Sequence, residues 1–231
     1  GSTGKPKGLL MEHSALCSSS LSGQGAACRF ASDSRVLQFS NYVFDISLGE
    51  IFSTLFHGGT VCVPTESERL QGIVNFFKEA RVNTACLTPS FLRTLDPRQI
   101  SSLKKLILSG EAGAQDTLAT WMPHVDLTNG YGPAEACIYC AVHDYASEAE
   151  SPTSIGRGTN MATWIVNPQD LSLTPIGCIG ELVVQGPGIA RGYINNPALT
   201  KTSFPQTLEC LPASLLRKDL KTNSAFSVNV F

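Results

Sequence analysis

The 231-residue sequence has almost no excess of charge of either sign: 17 Lys and Arg stand against 19 Asp and Glu, a formal net charge of −2. Proteins that bind nucleic acid or anionic membranes through phosphate contacts carry an excess of Lys and Arg. No apolar run approaches the roughly 18 residues of a membrane-spanning helix, and the N-terminus lacks the apolar core of a signal peptide. We therefore expect a globular cytosolic protein with no nucleic-acid or membrane partner.

The sequence also lacks a second Cys/His pair at zinc-finger spacing. Its eight cysteines are scattered and lie mostly in apolar surroundings, which is typical of buried reduced thiols in a cytosolic protein. The exception is the pair Cys137 and Cys140, with His143 three residues further on. A redox pair or a metal site stays open there, although a structural zinc would lack its fourth ligand.

Strand-like and helix-like segments alternate through the first 150 residues. Strands are predicted at residues 35–39, 60–63, 83–87, 105–108 and 125–128. Helices are predicted at residues 12–27, 45–56, 73–80, 90–95 and 115–121. Such alternation predicts an α/β fold with a mostly parallel sheet flanked by helices. Ligands of such sheets bind outside the carboxyl ends of the strands, so the polar segments there are the places to search.

The pattern changes near residue 150. From Thr163 onward we expect no helices, and residues 163–166 and 181–185 predict strands of a small β-rich subdomain. The sequence thus predicts an α/β unit at residues 1–158, a β-rich unit at residues 159–205, and a tail without period or motif at residues 206–231.

The first eight residues, Gly-Ser-Thr-Gly-Lys-Pro-Lys-Gly, combine three glycines, two hydroxyl side chains and two lysines. Glycine lets backbone N–H groups approach an anion, and the hydroxyls and lysines add donors and positive charge. The spacing differs from the common G-x-x-x-x-G-K-[ST] phosphate loop. Polyphosphate binding and a flexible basic terminus are both open. Because a domain rarely opens inside a phosphate loop, we expect the chain to be a piece of a longer one.

Three further segments each have a structural and a functional interpretation. Residues 129–135, Asn-Gly-Tyr-Gly-Pro-Ala-Glu, follow a predicted strand and form either a Gly-Pro turn or a site for a base and a metal ion. Asp45 is either the N-cap of a helix or a carboxylate held for a ligand's ammonium group. Residues 186–192 lack a following helix N-terminus and so do not form a dinucleotide fingerprint. The simple alternative there is a tight turn with an exposed Arg191.

Taken in order, these segments resemble the adenylate-forming superfamily and, more narrowly, the adenylation domains of nonribosomal peptide synthetases. The resemblance runs from residue 1 to about residue 204 and includes Asn-Asn-Pro-Ala-Leu-Thr at residues 195–200. Acyl-CoA synthetases and luciferases share the first loop and the Tyr-Gly-x-x-Glu element. The Asp45 element and residues 195–200 favour the peptide-synthetase branch. The implied fold is an incomplete large N-terminal domain.

The resemblance implies that an amino acid and ATP are converted to an aminoacyl-adenylate and pyrophosphate. The aminoacyl group is then loaded on the phosphopantetheine of a carrier protein, beside condensation domains. Glu135 would hold Mg²⁺, with Thr3 and Lys5 also catalytic, and Asp45 would pair with the substrate ammonium. The residues implied in binding ATP are Gly1, Ser2, Thr3, Gly4, Lys5, Lys7, Gly110, Glu111, Ala112, Asn129, Tyr131 and Gly132.

The family's side-chain pocket would be formed by uncharged residues. They are Ile46, Gly49, Cys86, Ile107, Ser109, Gly130, Ile138 and Tyr139, with Cys137 and Cys140 beside them. Since Gly49 and Gly130 would leave space, the resemblance implies a bulky apolar or aromatic amino acid.

Two departures from the family pattern bear on activity. The Tyr-x-Thr-Gly-Asp element, whose Asp holds the ribose hydroxyls, is replaced after Thr200 by Leu-Arg-Lys-Asp-Leu at residues 216–220. Asp219 is the candidate substitute there, in a segment that keeps Asp-Leu and loses Thr-Gly. We also expect the C-terminal subdomain with its catalytic lysine to be missing from this chain, and loss of one charge-stabilising group costs a factor of roughly 10²–10³ in rate. We expect little adenylation activity from this chain alone; a silent nucleotide-binding or interaction fragment and an acyl-CoA-type ligase are the alternatives.

Overall fold

The computed structural model describes residues 7–204 and the backbone of residues 225–228. Five of the residues predicted to bind ATP (Gly1, Ser2, Thr3, Gly4 and Lys5) therefore lie outside the described residues, as does Asp219. In the described part, no helix is both long enough and apolar enough to cross a membrane.

The largest sheet among these residues has seven strands in the spatial order β3-β2-β4-β5-β6-β7-β8. Its strands are β2 (Arg35–Leu37), β3 (Thr60–Cys62), β4 (Thr84–Leu87), β5 (Lys105–Leu108), β6 (Asp126–Tyr131), β7 (Ala141–Asp144) and β8 (Arg157–Gly158). The first five strands of the spatial order pair in parallel, which confirms the predicted sheet. Strands β7 and β8 add an antiparallel edge that the sequence pattern did not indicate.

The helices before residue 122 lie within the five predicted ranges or within one residue of them, and one further helix among the described residues, α8 (Pro197–Ser203), was not predicted. They are α1 (His13–Ser22), α2 (Gln24–Ala27), α3 (Ile46–Leu48), α4 (Thr54–Phe56), α5 (Ile73–Glu79), α6 (Pro89–Leu92), α7 (Gln115–Trp121) and α8 (Pro197–Ser203). A π-helical turn, Gly49–Ser53, joins α3 to α4, and a second, Glu68–Gly72, precedes α5. Short 3₁₀ turns lie at Pro97–Gln99 and Ala134–Ala136.

Each face of the large sheet is covered by its own apolar cluster. One face packs Leu106, Leu108 and Leu127 against Phe77 of α5 and Trp121 of α7. The opposite face forms a second cluster, which we call the inner cluster. Its buried members are Cys28, Phe30, Val36, Cys86, Ile107, Ile138 and Tyr139. Side chains that alternate along the strands explain this division, because neighbours in a strand point to opposite faces.

The remaining strands lie outside the large sheet. Strands β9 (Ala162–Val166), β10 (Glu181–Gln185) and β12 (Ala225–Val228) form an antiparallel sheet, and β1 (Leu9–Leu10) pairs with β11 (Gly192–Tyr193). The expectation that helices stop after Thr163 is wrong, because α8 follows β11. Asn196 caps α8 by accepting a hydrogen bond from Leu199 N–H, and Pro197 occupies its first turn. The predicted tail without period or motif, residues 206–231, also contains a strand, β12.

Candidate active site

Three neighbouring strands of the large sheet end at one edge, where polar residues gather. Gly110 follows β5 in a left-handed conformation with φ of +78°, and residues 110–112 are exposed. The Glu111 carboxylate accepts hydrogen bonds from the backbone N–H of Ser90 (3.0 Å) and from its hydroxyl (2.5 Å). This contact joins the segment after β5 to α6, which follows β4. The predicted binding edge is therefore assembled as the parallel topology requires.

Strand β6 extends further than the sequence indicated. Asn129 and Gly130, interpreted as turn residues, lie inside β6 and pair with His143 and Val142 of β7. The Asn129 side chain donates to the Ser154 carbonyl (2.7 Å), so its amide supports the neighbouring loop. Tyr131 is half-buried at the end of the strand, in reach of a planar ligand.

The loop from β6 to β7 turns back tightly on itself. A Cβ atom on Gly132 would lie 2.0 Å from the Ile138 carbonyl oxygen, so only glycine fits there. Cys137 and Ile138 both have positive φ angles, 56° and 80°. A left-handed conformation is costly for a β-branched residue, and such strain concentrates at functional sites. The Ser19 hydroxyl holds this loop by donating to the Cys137 carbonyl (2.7 Å).

Asp45 lies against this strained loop, at the N-cap of α3. Its side chain makes no capping hydrogen bond, and its Oδ2 atom is buried without a hydrogen-bond partner in the described residues. Burial raises the pKa of this carboxyl, and the negative charge of Glu135 raises the pKa further. The backbone N–H groups of Ile46 and Ile138 act in the opposite direction. Asp45 thus occupies the N-cap position without the capping hydrogen bond, and its Oδ2 atom is left as an unsatisfied acceptor.

Glu135 is partly exposed and is held from two directions. The Tyr193 hydroxyl donates to its Oε1 atom at 2.5 Å, and its backbone carbonyl accepts from Ala190 N–H at 2.9 Å. A carboxylate with a second oxygen available suits Mg²⁺, which is usually bound by one or two carboxylates together with phosphate oxygens and water. Among the described residues, no group of three or more His, Cys, Asp or Glu gathers to form a cage for a metal ion.

Tyr193 also connects Glu135 to the described end of the glycine loop, as we call residues 1–8. Leu9 and Leu10, just after that loop, pair with Tyr193 and Gly192 in the β1–β11 ladder. The Lys7 ammonium group lies 5.7 Å from the centre of the Tyr193 ring. Sequence reasoning gave Tyr193 no role. Arg191 is exposed, as expected, and its side chain also pairs with Glu12 at the start of α1.

The residues predicted to form the side-chain pocket do come together. Register places Cys86 beside Ile107 on adjacent strands, while Ser109 and Gly130 follow on the same face of the sheet. Cys86, Ile107, Ser109, Ile138 and Tyr139 are all buried, and Ile46 packs against the inner cluster. These residues belong to three strands, a helix and a loop, yet they form one wall beside Asp45.

The free space expected above the two pocket glycines is filled. A Cβ atom on Gly130 would lie 2.8 Å from ring atoms of Tyr139. A Cβ atom on Gly49 would meet the Gln24 amide nitrogen at 3.0 Å and the Ile138 side chain at 3.2 Å. The physical reason for expecting a bulky substrate therefore does not hold, because neighbouring side chains occupy the volume that the glycines leave.

Cys140 and His143, which the sequence placed near Cys137, each contact a different partner. Cys140 donates through Sγ to the Tyr131 carbonyl (3.6 Å), and His143 pairs with Glu150 (2.8 Å). Burial raises the pKa of both thiols to about 12. These thiols therefore stay protonated near neutral pH, which makes them weak nucleophiles.

Glu50 is a second buried acid that sequence reasoning missed. It lies in the π-helical turn after α3 and is fully buried. Its carboxylate accepts hydrogen bonds from the backbone N–H groups of Phe39 and Ser40, the Ser40 hydroxyl and the Gln38 amide. Burial raises its pKa to about 7, against these hydrogen bonds. Glu50 thereby fixes the segment after β2 to the helix that begins at Asp45; nothing in the local sequence signals this role.

Comparison with known proteins places this geometry in a family. Residues 1–194 match the family model described as AMP-binding enzyme. The chain is 44% identical over 213 residues to the nonribosomal peptide synthetase atnA of Emericella nidulans, covering 92% of this chain and 3% of that protein. It is 45% identical over 205 residues to nonribosomal peptide synthetase 1 of Aspergillus fumigatus, covering 88% of this chain and 3% of the relative.

Solved structures give the same result for the fold. The structure of holo-PA1221, a nonribosomal peptide synthetase protein containing adenylation and PCP domains, superposes with a TM-score of 0.84 at 26% identity. That comparison covers 99% of this chain and 40% of PA1221. The N-terminal subdomain of Klebsiella oxytoca NpsA gives a TM-score of 0.81 at 21% identity, with 98% of this chain and 58% of that one covered.

The chain belongs to the AMP-binding enzyme family of adenylate-forming ligases. Within it, the chain has the fold of the N-terminal subdomain of an adenylation domain of the nonribosomal peptide synthetase type. It spans about 3% of the length of these two relatives, 40% of PA1221 and 58% of the NpsA subdomain.

Proposed function

We propose that this subdomain binds ATP and an α-amino acid for activation as an aminoacyl-adenylate. In this reaction a carboxylate oxygen of the amino acid attacks the α-phosphorus of ATP. The bond from that phosphorus to the bridging oxygen breaks, and pyrophosphate leaves with the electron pair. The observation that carries the proposal is the unpaired Oδ2 atom of Asp45, buried at the edge where the sheet binds ligands.

Asp45 supplies what an ammonium group needs. A buried carboxylate oxygen without a hydrogen-bond partner is costly, and an opposite charge next to it removes much of that cost. The negative charge of Glu135 acts on Asp45, so the two acids lie near enough for one ligand to reach both. The amine would pair with Asp45 while the phosphates lie on the side of Glu135, Lys7 and the glycine loop.

The other residues at this edge of the sheet would each bind a different part of the nucleotide. Glu135, oriented by Tyr193, would hold Mg²⁺. When bound, this ion neutralises negative charge on the phosphate oxygens. Tyr131 would pack on the adenine beside Gly110, Glu111 and Ala112. Residues 1–5 would cover the β- and γ-phosphates, with Thr3 and Lys5 stabilising the charge that develops as pyrophosphate leaves.

The partners follow from the same assignment. A phosphopantetheine thiolate on a carrier protein would attack the acyl carbon of the adenylate, and the carbon–oxygen bond to AMP would break. PA1221 contains adenylation and PCP domains in one protein, which supports a carrier partner here. Condensation domains of a parent synthetase and a cytosolic location complete the proposal. Under this proposal the chain itself binds ATP and the amino acid.

The test is binding of non-hydrolysable adenylate analogues by calorimetry. Each aminoacyl sulfamoyl adenosine in a panel is compared with its des-amino counterpart, which has the same acyl chain without the amine. The N-terminal subdomain of Klebsiella oxytoca NpsA was solved in complex with 3-hydroxybenzoyl-AMSN, which supports the use of an isolated subdomain. We expect at least one aminoacyl analogue to bind at least about tenfold more tightly than its counterpart, as removing a charged hydrogen-bond partner costs roughly 1.5–3 kcal/mol.

The Asp45→Asn variant should lose this preference for the amine. Asp126→Asn is the matched control, since Asp126 is an exposed acid at the opposite, N-terminal end of β6. An acyl-CoA-type ligase would bind the des-amino analogues equally well with Asp45 intact. Equal affinities across every pair would therefore refute amino-acid activation and favour that alternative.

A further inference from the structure

The space beside Asp45 is limited by two side chains from the strained loop. The Ile138 side chain covers Gly49, since a Cβ there would lie 3.2 Å from its Cδ1 atom. The next residue, Tyr139, covers Gly130, with ring atoms at 2.8 to 2.9 Å from the position of a Cβ. Both glycines therefore serve to admit these two side chains.

Neither side chain is free to swing away without repacking. Ile138 is 2% exposed and Tyr139 4% exposed, and both belong to the inner cluster with Cys86 and Ile107. Protein interiors are packed as densely as organic crystals, so a displaced ring has nowhere to go inside this cluster. The Tyr139 hydroxyl is itself buried and has no hydrogen-bond partner in the described residues. Ile138 and Tyr139 are thus firmly packed into the inner cluster beside Asp45.

The position of Asp45 relates this wall to a bound amino acid. The backbone N–H of Ile138 acts on the Asp45 carboxyl, so the amine site and the Ile138–Tyr139 wall are adjacent. In an α-amino acid the side chain begins one carbon from the amine. A substrate amine at Asp45 therefore directs its side chain at the surface formed by Ile46, Ile138 and Tyr139.

We infer that the amino acid activated at this site has a small side chain, of the size of glycine or alanine, because Tyr139 and Ile138 fill the volume that a larger one would need. This inference rests on the proposed function. Tyr139 is then the residue that determines specificity, and Gly130 is the residue that lets it do so. A large side chain would have to displace a buried ring. The free-energy cost of that repacking far exceeds the gain from the apolar contacts of one added methylene.

The experiment measures calorimetric affinities of the 231-residue chain for glycyl, alanyl, leucyl and phenylalanyl sulfamoyl adenosine. We expect the glycyl or alanyl analogue to bind about 30-fold or more tightly than the phenylalanyl analogue, within the range that steric discrimination in apolar pockets reaches. Tyr139→Ala should narrow or invert this ratio by admitting the phenylalanyl group. Tyr139→Phe keeps the ring and should keep the wild-type ranking, which makes it the matched control.

Wild-type affinity for the phenylalanyl analogue equal to or above that for the alanyl analogue would overturn the inference. An unchanged ranking in a folded Tyr139→Ala variant would also overturn the role of Tyr139; Tyr139→Leu replaces it if the alanine variant fails to fold. Failure of the proposed function is distinct, because there the alanyl and propionyl analogues bind equally. If aminoacyl analogues bind more tightly than des-amino analogues, but large side chains bind as well as small ones, only the size limit is refuted.

Discussion

Tyr193 donates its hydroxyl hydrogen to Oε1 of Glu135 across 58 residues of sequence, at an oxygen–oxygen distance of 2.5 Å. The same tyrosine pairs with Leu9 in the ladder after the glycine loop, and the Lys7 ammonium lies 5.7 Å from its ring. One residue therefore couples the loop expected to hold the triphosphate to the acid expected to hold Mg²⁺. Tyr193 acts through Glu135, as a positioning residue.

Removing that hydroxyl should weaken the binding of metal-loaded nucleotide. In Tyr193→Phe we expect the affinity for ATP with Mg²⁺ to fall about tenfold, as a hydrogen bond to a charged group contributes roughly 1.5–3 kcal/mol. Calorimetry with and without Mg²⁺ measures the effect, and the metal-free affinity should change little.

Tyr145→Phe is the control for the Tyr193 variant. It also removes a tyrosine hydrogen bond, here to the Pro152 carbonyl at 2.6 Å, but away from Glu135. A loss of affinity that is the same with and without Mg²⁺, or that appears equally in the control, would show that Tyr193 only supports the fold.

The Glu50 carboxylate should be sensitive even to replacement by its amide. Both of its oxygens accept hydrogen bonds from fixed donors, including the backbone N–H groups of Phe39 and Ser40. In Glu50→Gln the NH₂ group faces those donors, so we expect the free energy of unfolding to fall by about 1–3 kcal/mol. Urea denaturation monitored by Trp fluorescence measures it.

Glu68→Gln provides the comparison, because Glu68 accepts a backbone and a hydroxyl hydrogen bond from Thr65 at the surface. Its effect should be small, since water can replace the lost bonds. Equal losses in the two variants would contradict the role of burial at Glu50.

Stability should decrease with pH in a window set by Glu50. Burial raises its folded-state pKa to about 7, from an ordinary value of 4.5. The folded state thus holds the proton more tightly than the unfolded state, and this contribution is fully present below pH 4.5 and is lost as pH rises through 7. The integrated change is roughly 3 kcal/mol. Unfolding free energies from pH 4.5 to pH 8 should show the decline, and Glu50→Gln should remove this part of it. If the free energy of unfolding fell with pH equally steeply in the wild type and in Glu50→Gln, the decline would come from other groups.

Gly130→Ala should destabilise the fold, because the new methyl group would lie 2.8 Å from the Tyr139 ring. Overpacking of this kind costs about 1–3 kcal/mol. Gly72→Ala is the matched control, because its Cβ would meet only Glu68 side-chain atoms at 3.8 Å or more. The free energy of unfolding in urea decides the comparison; a neutral Gly130→Ala would show that the ring yields easily and would weaken the size limit on the substrate.

The regular part of the fold follows from the sequence with few errors. Strand β5 and helix α7 were predicted at their observed bounds, because apolar strands and amphipathic helices have distinct periods. The helix α8 was missed although Asn196 and Pro197 are a capping signal. Strand β6 was ended too early, because Asn129 and Gly130 resemble a turn. Gly130 is there to admit the Tyr139 ring, a tertiary contact that local sequence does not reveal.

The candidate site was predictable as a set of residues but incompletely as a geometry. The order of the motifs along the chain assigned Asp45, Glu135 and Tyr131 to one site. The topology places their segments at one edge of the sheet. Only coordinates show that Asp45 occupies the N-cap position without the capping hydrogen bond, since this depends on where the carboxylate oxygens lie. The filling of the pocket by Ile138 and Tyr139 was hidden because it depends on positive φ angles in a loop.

A crystal structure of the chain with bound alanyl sulfamoyl adenosine tests the central claim most directly. The account predicts the ligand's amine within hydrogen-bonding distance, about 3 Å, of Asp45 Oδ2, with the sulfamoyl group on the side of Glu135 and Lys7. An amine directed to solvent, with Asp45 still unpaired behind the loop, would contradict it.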